Sequence, residues 1–259
     1  MKIANQYYTI YRANALDILP RITADCIVTD PPYLLTSGGN TNHANRMGGA
    51  FGKGRYNNNG AIVECPNKWP EFMKPMFDCL RSPGHAYFMA NDKNQFEMQA
   101  EAMRAGFYFH NLLNWRKGTC TQNRWYMKDT EYIGFFGKGE AFAINDCGSK
   151  QSADIPQRDE SHEFLPLDAD GNKESHPTEK PVRLMRHYIL NSTKKGESVL
   201  DPFMGTGTTG VAAIMEGRHF IGMELSEKWF QVAKARLDKA VRQINGGETG
   251  HGLRQVELF

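Results

Sequence analysis

The chain has 259 residues, 40% of them hydrophobic and 23% charged, which excludes wholesale disorder and gives enough material for one full core. A net charge of +2 neither demands nor forbids nucleic acid, because a balanced total can hide a local basic face. Five scattered cysteines without a C-x-x-C pair argue against a disulfide framework or a zinc site and fit a reducing compartment. With no apolar run near the roughly 20 residues of a membrane span, the expectation is a cytoplasmic protein without a metal.

Weak alternation over residues 7–11 predicts a strand, Asn14 is placed to cap a short helix reaching residue 19, and Pro20 stops it. Cys26-Ile27-Val28-Thr29 is an apolar, β-branched run that meets Asp30-Pro31-Pro32-Tyr33. It reads as a buried strand halted by two prolines, which supply no N–H to a ladder. An acid, a rigid diproline and an aromatic ring therefore stand at a strand's carboxyl end, where open α/β sheets bind ligands.

Residues 34–67 are broken by Gly38-Gly39, Gly48-Gly49, Gly52-Lys53-Gly54-Arg55 and Asn57-Asn58-Asn59-Gly60. The segment reads either as a disordered surface insertion or as a mobile loop that orders on a polyanion through Arg46, Lys53 and Arg55. It is not a P-loop, since Gly54 follows Lys53 where Ser or Thr is required.

Helical spacing covers residues 69–80 and ends at Ser82-Pro83-Gly84; a strand follows at 85–90, a helix at 91–105 closed by Gly106, then strands at 107–115 and 131–136. Between those last strands Arg116, Lys117, Arg124 and Lys128 are interleaved with Trp125 and Tyr126. That pattern suits phosphate contact and base stacking, and equally an aromatic core beneath a solvated cationic face. Residues 141–175 are polar and weakly patterned, which predicts an insertion with little core of its own.

His176-Pro177-Thr178-Glu179-Lys180-Pro181 precedes a helix over residues 182–192. A strand at 198–200 ends in Asp201-Pro202, and Gly205-Thr206-Gly207-Thr208-Thr209-Gly210 opens a helix of small and apolar residues. A strand at 220–223 ends at Glu224; Ser226 caps a last helix over 227–244 with Trp229, Val232, Ala233 and Leu237 on one face.

G-x-G-x-x-G alone is a weak signal, but here a strand precedes it, a helix follows, and Glu224 stands about 20 residues on at the end of the next strand. The glycines admit a ligand to the backbone and the carboxylate can accept two ribose hydroxyls. An adenosine-bearing cofactor follows, with a dinucleotide and S-adenosylmethionine both open at this point. This unit comes after the Asp30 strand, so the order reads as circularly permuted, and folding should set the loops after Asp201 and Asp30 side by side.

On DPPY at Asp30 to Tyr33, HPTEKP at His176 to Pro181 and DPFMGTGTTG at Asp201 to Gly210, the chain resembles the permuted β group of amino-methylating DNA methyltransferases, over roughly residues 8–237. The resemblance implies a single α/β domain over 1–259 with a Rossmann-like methyltransferase fold, circularly permuted, whose mostly parallel sheet carries an antiparallel edge hairpin. It also implies a small target-recognition insertion at about 141–175 and a flexible tail from about 245. The implied cofactor is S-adenosylmethionine, held by Asn14, His176, Thr178, Lys180, Asp201, Phe203, Gly205, Gly207, Thr208 and Glu224. Asn14 departs from the family's frequent Asp, though its oxygen can accept the same hydrogen bond.

Asp30, Pro31, Pro32 and Tyr33 become the catalytic group, and DNA the partner, contacted by Arg46, Lys53, Arg55, Arg116, Lys117 and Arg124. Asp30 and the Pro31 carbonyl would take the two N–H groups of the target amine, freeing its lone pair for in-line transfer. The base has to flip out of the duplex, with Tyr33 as its stacking face. Family members that methylate adenine N6 mostly carry Asp at the first position, so adenine is favoured. Cytosine-N4 methylation, RNA methylation and a non-catalytic nucleotide-binding module of the same fold are the alternatives. The tail Gln255-Val256-Glu257-Leu258-Phe259 resembles the Q-x-x-L-F peptide that docks on the bacterial sliding clamp, or is simply a frayed end.

Overall fold

Strand β3 (Ala24–Thr29) is apolar on both faces: Cys26 and Val28 enter one core cluster, Ala24 and Ile27 the other. Such a strand is stable only with helices above and below it, which puts it at the centre of the sheet. The computed structural model describes residues 1–32, 69–121, 126–156 and 179–246. Around β3 stand β1 (Lys2–Ala4), β2 (Tyr8–Arg12), β4 (Leu80–Ala90), β5 (Tyr108–Thr121), β6 (Lys128–Lys138), β7 (Ser152–Asp154), β8 (Ser198–Asp201) and β9 (His219–Glu224). Among the described residues they form one nine-stranded sheet in the order β1-β2-β9-β8-β3-β4-β6-β5-β7.

Helices α1 (Ala15–Ile18), α2 (Trp69–Cys79) and α3 (Gln95–Ala105) supply the cluster on one face, while α4 (Val182–Ser192), α5 (Thr208–Met215) and α6 (Glu227–Gly246) supply the other. β2, β9, β8, β3 and β4 run parallel; β1, and the hairpin β5–β6 against β4, are antiparallel. The expected α/β architecture and mostly parallel sheet with its antiparallel hairpin are therefore present. From β3 the chain goes on to α2 and β4 on one side, and from β8 to α5 and β9 on the other. The carboxyl ends of β3 and β8 thus flank the switch point at which such sheets bind ligands. Asp25 holds the two strands in register: its Oδ2 accepts from Ser198 N and Oγ, both at 2.7 Å.

Helix α2 tolerates Pro75, which forgoes one helical hydrogen bond, because Phe72, Met73 and Met76 are buried beside it. Complete burial of a phenylalanine contributes about 2 kcal/mol, comparable to that loss. Lys138 Nζ donates to Phe77 O at 2.6 Å at the helix end, and the chain turns directly into β4 at Leu80, five residues before the expected strand. Helix α3 begins at Gln95 rather than at residue 91, because Asn91 Oδ1 accepts from Lys93 N and Asn94 N in a turn.

The larger corrections lie at the hairpin and beyond it. β5 and β6 extend through most of the stretch read as a polar connection. Residues 141–156 are tied to the body instead of standing apart: β7 pairs with β5, and the buried Trp115 donates its Nε1–H to Ile155 O at 2.7 Å. On α6 the buried aromatic is Phe230, while Trp229 is only partly covered.

Candidate functional site

Thr29 and Asp201, at the ends of the two central strands, join through Thr29 Oγ1 donating to Asp201 Oδ1 at 2.6 Å. Asp201 Oδ1 also accepts from Phe203 N at 3.1 Å, and Oδ2 from Thr209 Oγ1 at 2.8 Å. Burial pushes the carboxyl up to about 6; the Thr29 and Thr209 hydroxyls and the Phe203 amide oppose the rise, and the charge of Asp30 adds to it. These bonds let Asp201 shape the turn from β8 into the glycine loop.

In that loop Gly205 and Gly207 have φ of +50° and +79°, conformations that suit glycine. Among the described residues a side chain at Gly205 would meet nothing within 4 Å, which leaves the backbone there open toward a ligand. Glu224, at the end of β9, accepts from Gly205 N at 3.1 Å and from Ser226 N at 2.7 Å, leaving further lone pairs on each oxygen. Burial raises its carboxyl, with those amides working against the rise. Beside it, where Ala13 N donates to Glu224 O, Asn14 caps α1 by accepting from Leu16 N at 3.1 Å. Phe203 is partly buried with its ring 5.0 Å from that of Phe72.

Arg236, fully buried on α6, holds the loop from behind. Its NH1 donates to Thr206 O and Oγ1 and to Thr208 Oγ1, and its NH2 lies 2.9 Å from Glu179 Oε1. The Thr208 hydroxyl therefore faces Arg236 on α6. One guanidinium links the glycine loop to the segment that precedes α4.

That segment also carries Lys180, which bridges two carboxylates: Nζ is 2.6 Å from Asp30 Oδ2 and 3.3 Å from Glu131 Oε2. Lys117 approaches the other oxygen of Glu131 at 3.3 Å. Both lysines are buried. Lys180 thus engages the Asp30 carboxylate, and Lys117, expected among the DNA contacts, faces inward on β5 toward Glu131. Burial pushes the Asp30 carboxyl above the usual range against the pull of Lys180, with Glu131 adding to the rise. Burial would raise Glu131 too, but Lys180 and Lys117 together hold it below the usual range. Asp30 Oδ1, unlike Oδ2, is buried with no hydrogen-bond partner among the described residues.

Arg116, in contrast, is exposed and paired with Asp154. Tyr33, Arg46, Lys53, Arg55, Arg124, His176 and Thr178 lie outside the described residues, as do the 34–67 loop, residues 157–175 of the insertion, and the tail from 247 with Gln255 and Phe259. Two residues of the site were missed in the sequence. Arg236 shares the apolar face of α6 with Ala233, Leu237 and Ala240, where an arginine requires a buried partner. Glu131 opens the otherwise apolar inner part of β6, an equally readable anomaly.

The family model described as DNA methylase matches residues 24–235. The chain belongs to the DNA methylase family. The methylase is 28% identical over 242 residues to the type II methyltransferase M2.MboI of Moraxella bovis, an alignment covering 88% of this chain and 87% of the relative. Its fold is that of the M1.HpyAVI–SAM complex, with a TM-score of 0.64 at 23% identity, covering 89% of this chain and 99% of that one. It is equally that of the PvuII DNA methyltransferase (cytosine-N4-specific), with a TM-score of 0.65 at 18% identity and coverage of 93% and 94%.

The methylase's own residues fit S-adenosylmethionine. The open backbone at Gly205 and the carboxylate of Glu224 offer what an adenosine needs, and they adjoin the strand end that carries Asp30. Among the described residues no group of three or more His, Cys, Asp or Glu side chains is arranged to hold a metal ion, and no helix is long and apolar enough to cross a membrane.

Proposed function

We propose that the protein is a DNA adenine-N6 methyltransferase that uses S-adenosylmethionine. The observation that carries this reading is the buried Asp30 Oδ1, an acceptor with no partner among the described residues, next to an Oδ2 already held by Lys180. A buried acceptor left unmade costs about 1–3 kcal/mol, so it marks a place where a donor arrives. The exocyclic amino group of a flipped base brings two N–H donors, one for Oδ1 and one for the Pro31 carbonyl. Held there, the nitrogen pyramidalises and its lone pair leaves the ring.

When bound, the cofactor supplies an electrophilic sulfonium methyl group. The chain's task is then to position and to stabilise charge, with Glu224 and the Gly205 backbone holding the adenosine end. Tyr33 stacks on the flipped base, a contact worth on the order of 1 to 3 kcal/mol. Arg46, Lys53, Arg55 and Arg124 contact DNA phosphates, and His176 and Thr178 border the methionine end of the cofactor. A cytoplasmic location suits this work.

Adenine is favoured over cytosine by the acid at position 30. The second reading, cytosine-N4 methylation, stays in view because the fold matches a cytosine-N4 enzyme as well as it matches M1.HpyAVI. Tritium transfer from labelled cofactor to unmodified DNA, followed by nucleoside analysis, separates the two. N6-methyl-2′-deoxyadenosine supports the proposal, and N4-methyl-2′-deoxycytidine replaces it with the second reading. The tail is proposed separately as a sliding-clamp ligand; truncation after Gly252 should abolish clamp pull-down and spare methylation, and unchanged pull-down would end that idea.

A further inference from the structure

The cluster of Asp30, Lys180, Glu131 and Lys117, its lysines buried and its carboxylates partly so, contains more than the transfer step described above requires. A single ammonium on Asp30 would suffice to anchor Oδ2. Instead Lys180 is shared with a second carboxylate from a different strand, and that carboxylate is itself gripped by a second buried lysine. Two cations and two anions balance, and two of the four, the lysines, are almost wholly covered.

We infer that Glu131 is a positioning residue for methyl transfer: held by Lys117, it fixes Lys180 on Asp30 Oδ2 and so keeps Oδ1 turned toward the substrate. This inference rests on the adenine-N6 reading and deepens it. An ammonium has three donors on a flexible stem, and one carboxylate does not define its direction. With Glu131 as a second acceptor at 3.3 Å, Lys180 is bracketed between β6 and the end of β3.

The arrangement also meets the needs of the product side. The lone pair of the amino nitrogen forms the bond to the methyl carbon as the carbon–sulfur bond of the sulfonium breaks and its electron pair goes to sulfur; one N–H bond then breaks, its electron pair stays on nitrogen, and the proton passes to Asp30 Oδ1. Lys180 then faces a neutral acid. Glu131 still holds the ammonium in place, so the site returns to its starting geometry once Asp30 releases the proton.

The charged groups facing Asp30 are Lys180 from the segment before α4, Glu131 from β6 with Lys117 of β5 behind it, and Asp201 from the end of β8. Their signs give opposite predictions for two variants. Glu131→Gln removes a like charge from the neighbourhood of Asp30 and leaves the whole pull of Lys180 on it. Lys180→Gln removes the opposite charge.

The test is single-turnover methyl transfer to unmodified duplex DNA, with tritiated S-adenosylmethionine saturating, followed across pH for the wild type, Glu131→Gln, Glu131→Asp and Lys180→Gln. Glu131→Gln is expected to slow transfer about tenfold at the plateau and to move the acidic limb about one unit lower, while Lys180→Gln moves that limb higher. Glu131→Asp keeps the charge and should restore the wild-type limb, with cofactor affinity unchanged throughout. A limb that stays in place in Glu131→Gln, or that rises as in Lys180→Gln, overturns the inference even when the rate falls, because a purely structural role lowers activity without that shift. If Glu131→Gln does not fold, Lys180→Gln decides: an unmoved limb overturns the inference. Absence of N6-methyl-2′-deoxyadenosine from wild-type digests sinks the adenine reading itself, a failure distinct from any result with the variants.

Discussion

Lys180 Nζ lies 2.6 Å from Asp30 Oδ2, across 150 positions of sequence, and fixes one oxygen of the carboxylate while the other remains buried and open. Because transfer needs the anionic acceptor, the pH profile should be set by this pair. Burial moves the Asp30 carboxyl above its usual 3.8, so activity should be full at higher pH and fall as pH drops through that raised value. A pH–rate profile with its acidic limb below 3.8 would contradict this electrostatic description.

Asp201 makes a prediction about stability. Its folded pKa of about 6 lies above the ordinary 3.8, so its contribution is fully favourable below pH 3.8 and is lost as pH rises through 6. At neutral pH the buried charge costs about 3 kcal/mol relative to the protonated form. Asp201→Asn should therefore gain stability over the wild type steadily from pH 4 to 6.5. Urea denaturation midpoints at half-unit intervals measure the difference, and parallel curves for the two proteins would refute it.

Arg236→Met would take the guanidinium away from the buried Glu179 and from the loop threonines. Breaking such a pair costs about 3–5 kcal/mol, and the double variant with Glu179→Gln should recover part of that loss. Denaturation of the two variants, together with cofactor titration by calorimetry, tests both the pairing and the expected drop in affinity.

Gly207→Ala places a Cβ 3.1 Å from that of Ala233 at a φ of +79°. The left-handed backbone costs about 1–2 kcal/mol for a residue with a Cβ, so cofactor binding should weaken by about tenfold or the fold should lose that much stability. A variant that matches the wild type in both respects would show that the loop does not need this conformation.

Much of this was legible in sequence because it is local. Two prolines after an apolar run placed Asp30 at a strand end, glycine spacing placed the loop, and the apolar periodicity over Val182–Ser192 gave α4 with its bounds. What was not legible depends on contacts made across the fold. Lys117 looks like a surface cation among aromatics until β5 turns it toward Glu131, and nothing near Lys180 in sequence shows that β3 sets Asp30 beside it. β1 and β7, of three residues each, are too short to show a period and exist because β2 and β5 offer them edges.

The central claim is that Asp30 accepts the hydrogen of the amino group that is methylated. Single-turnover methyl transfer by Asp30→Asn, with saturating cofactor and unmodified duplex DNA, tests it most directly. The amide keeps the shape but forfeits the charge and can present a donor where an acceptor is needed, so the rate should fall by roughly 10²–10⁴-fold while cofactor affinity holds. An Asp30→Asn enzyme within tenfold of the wild-type rate would contradict the account.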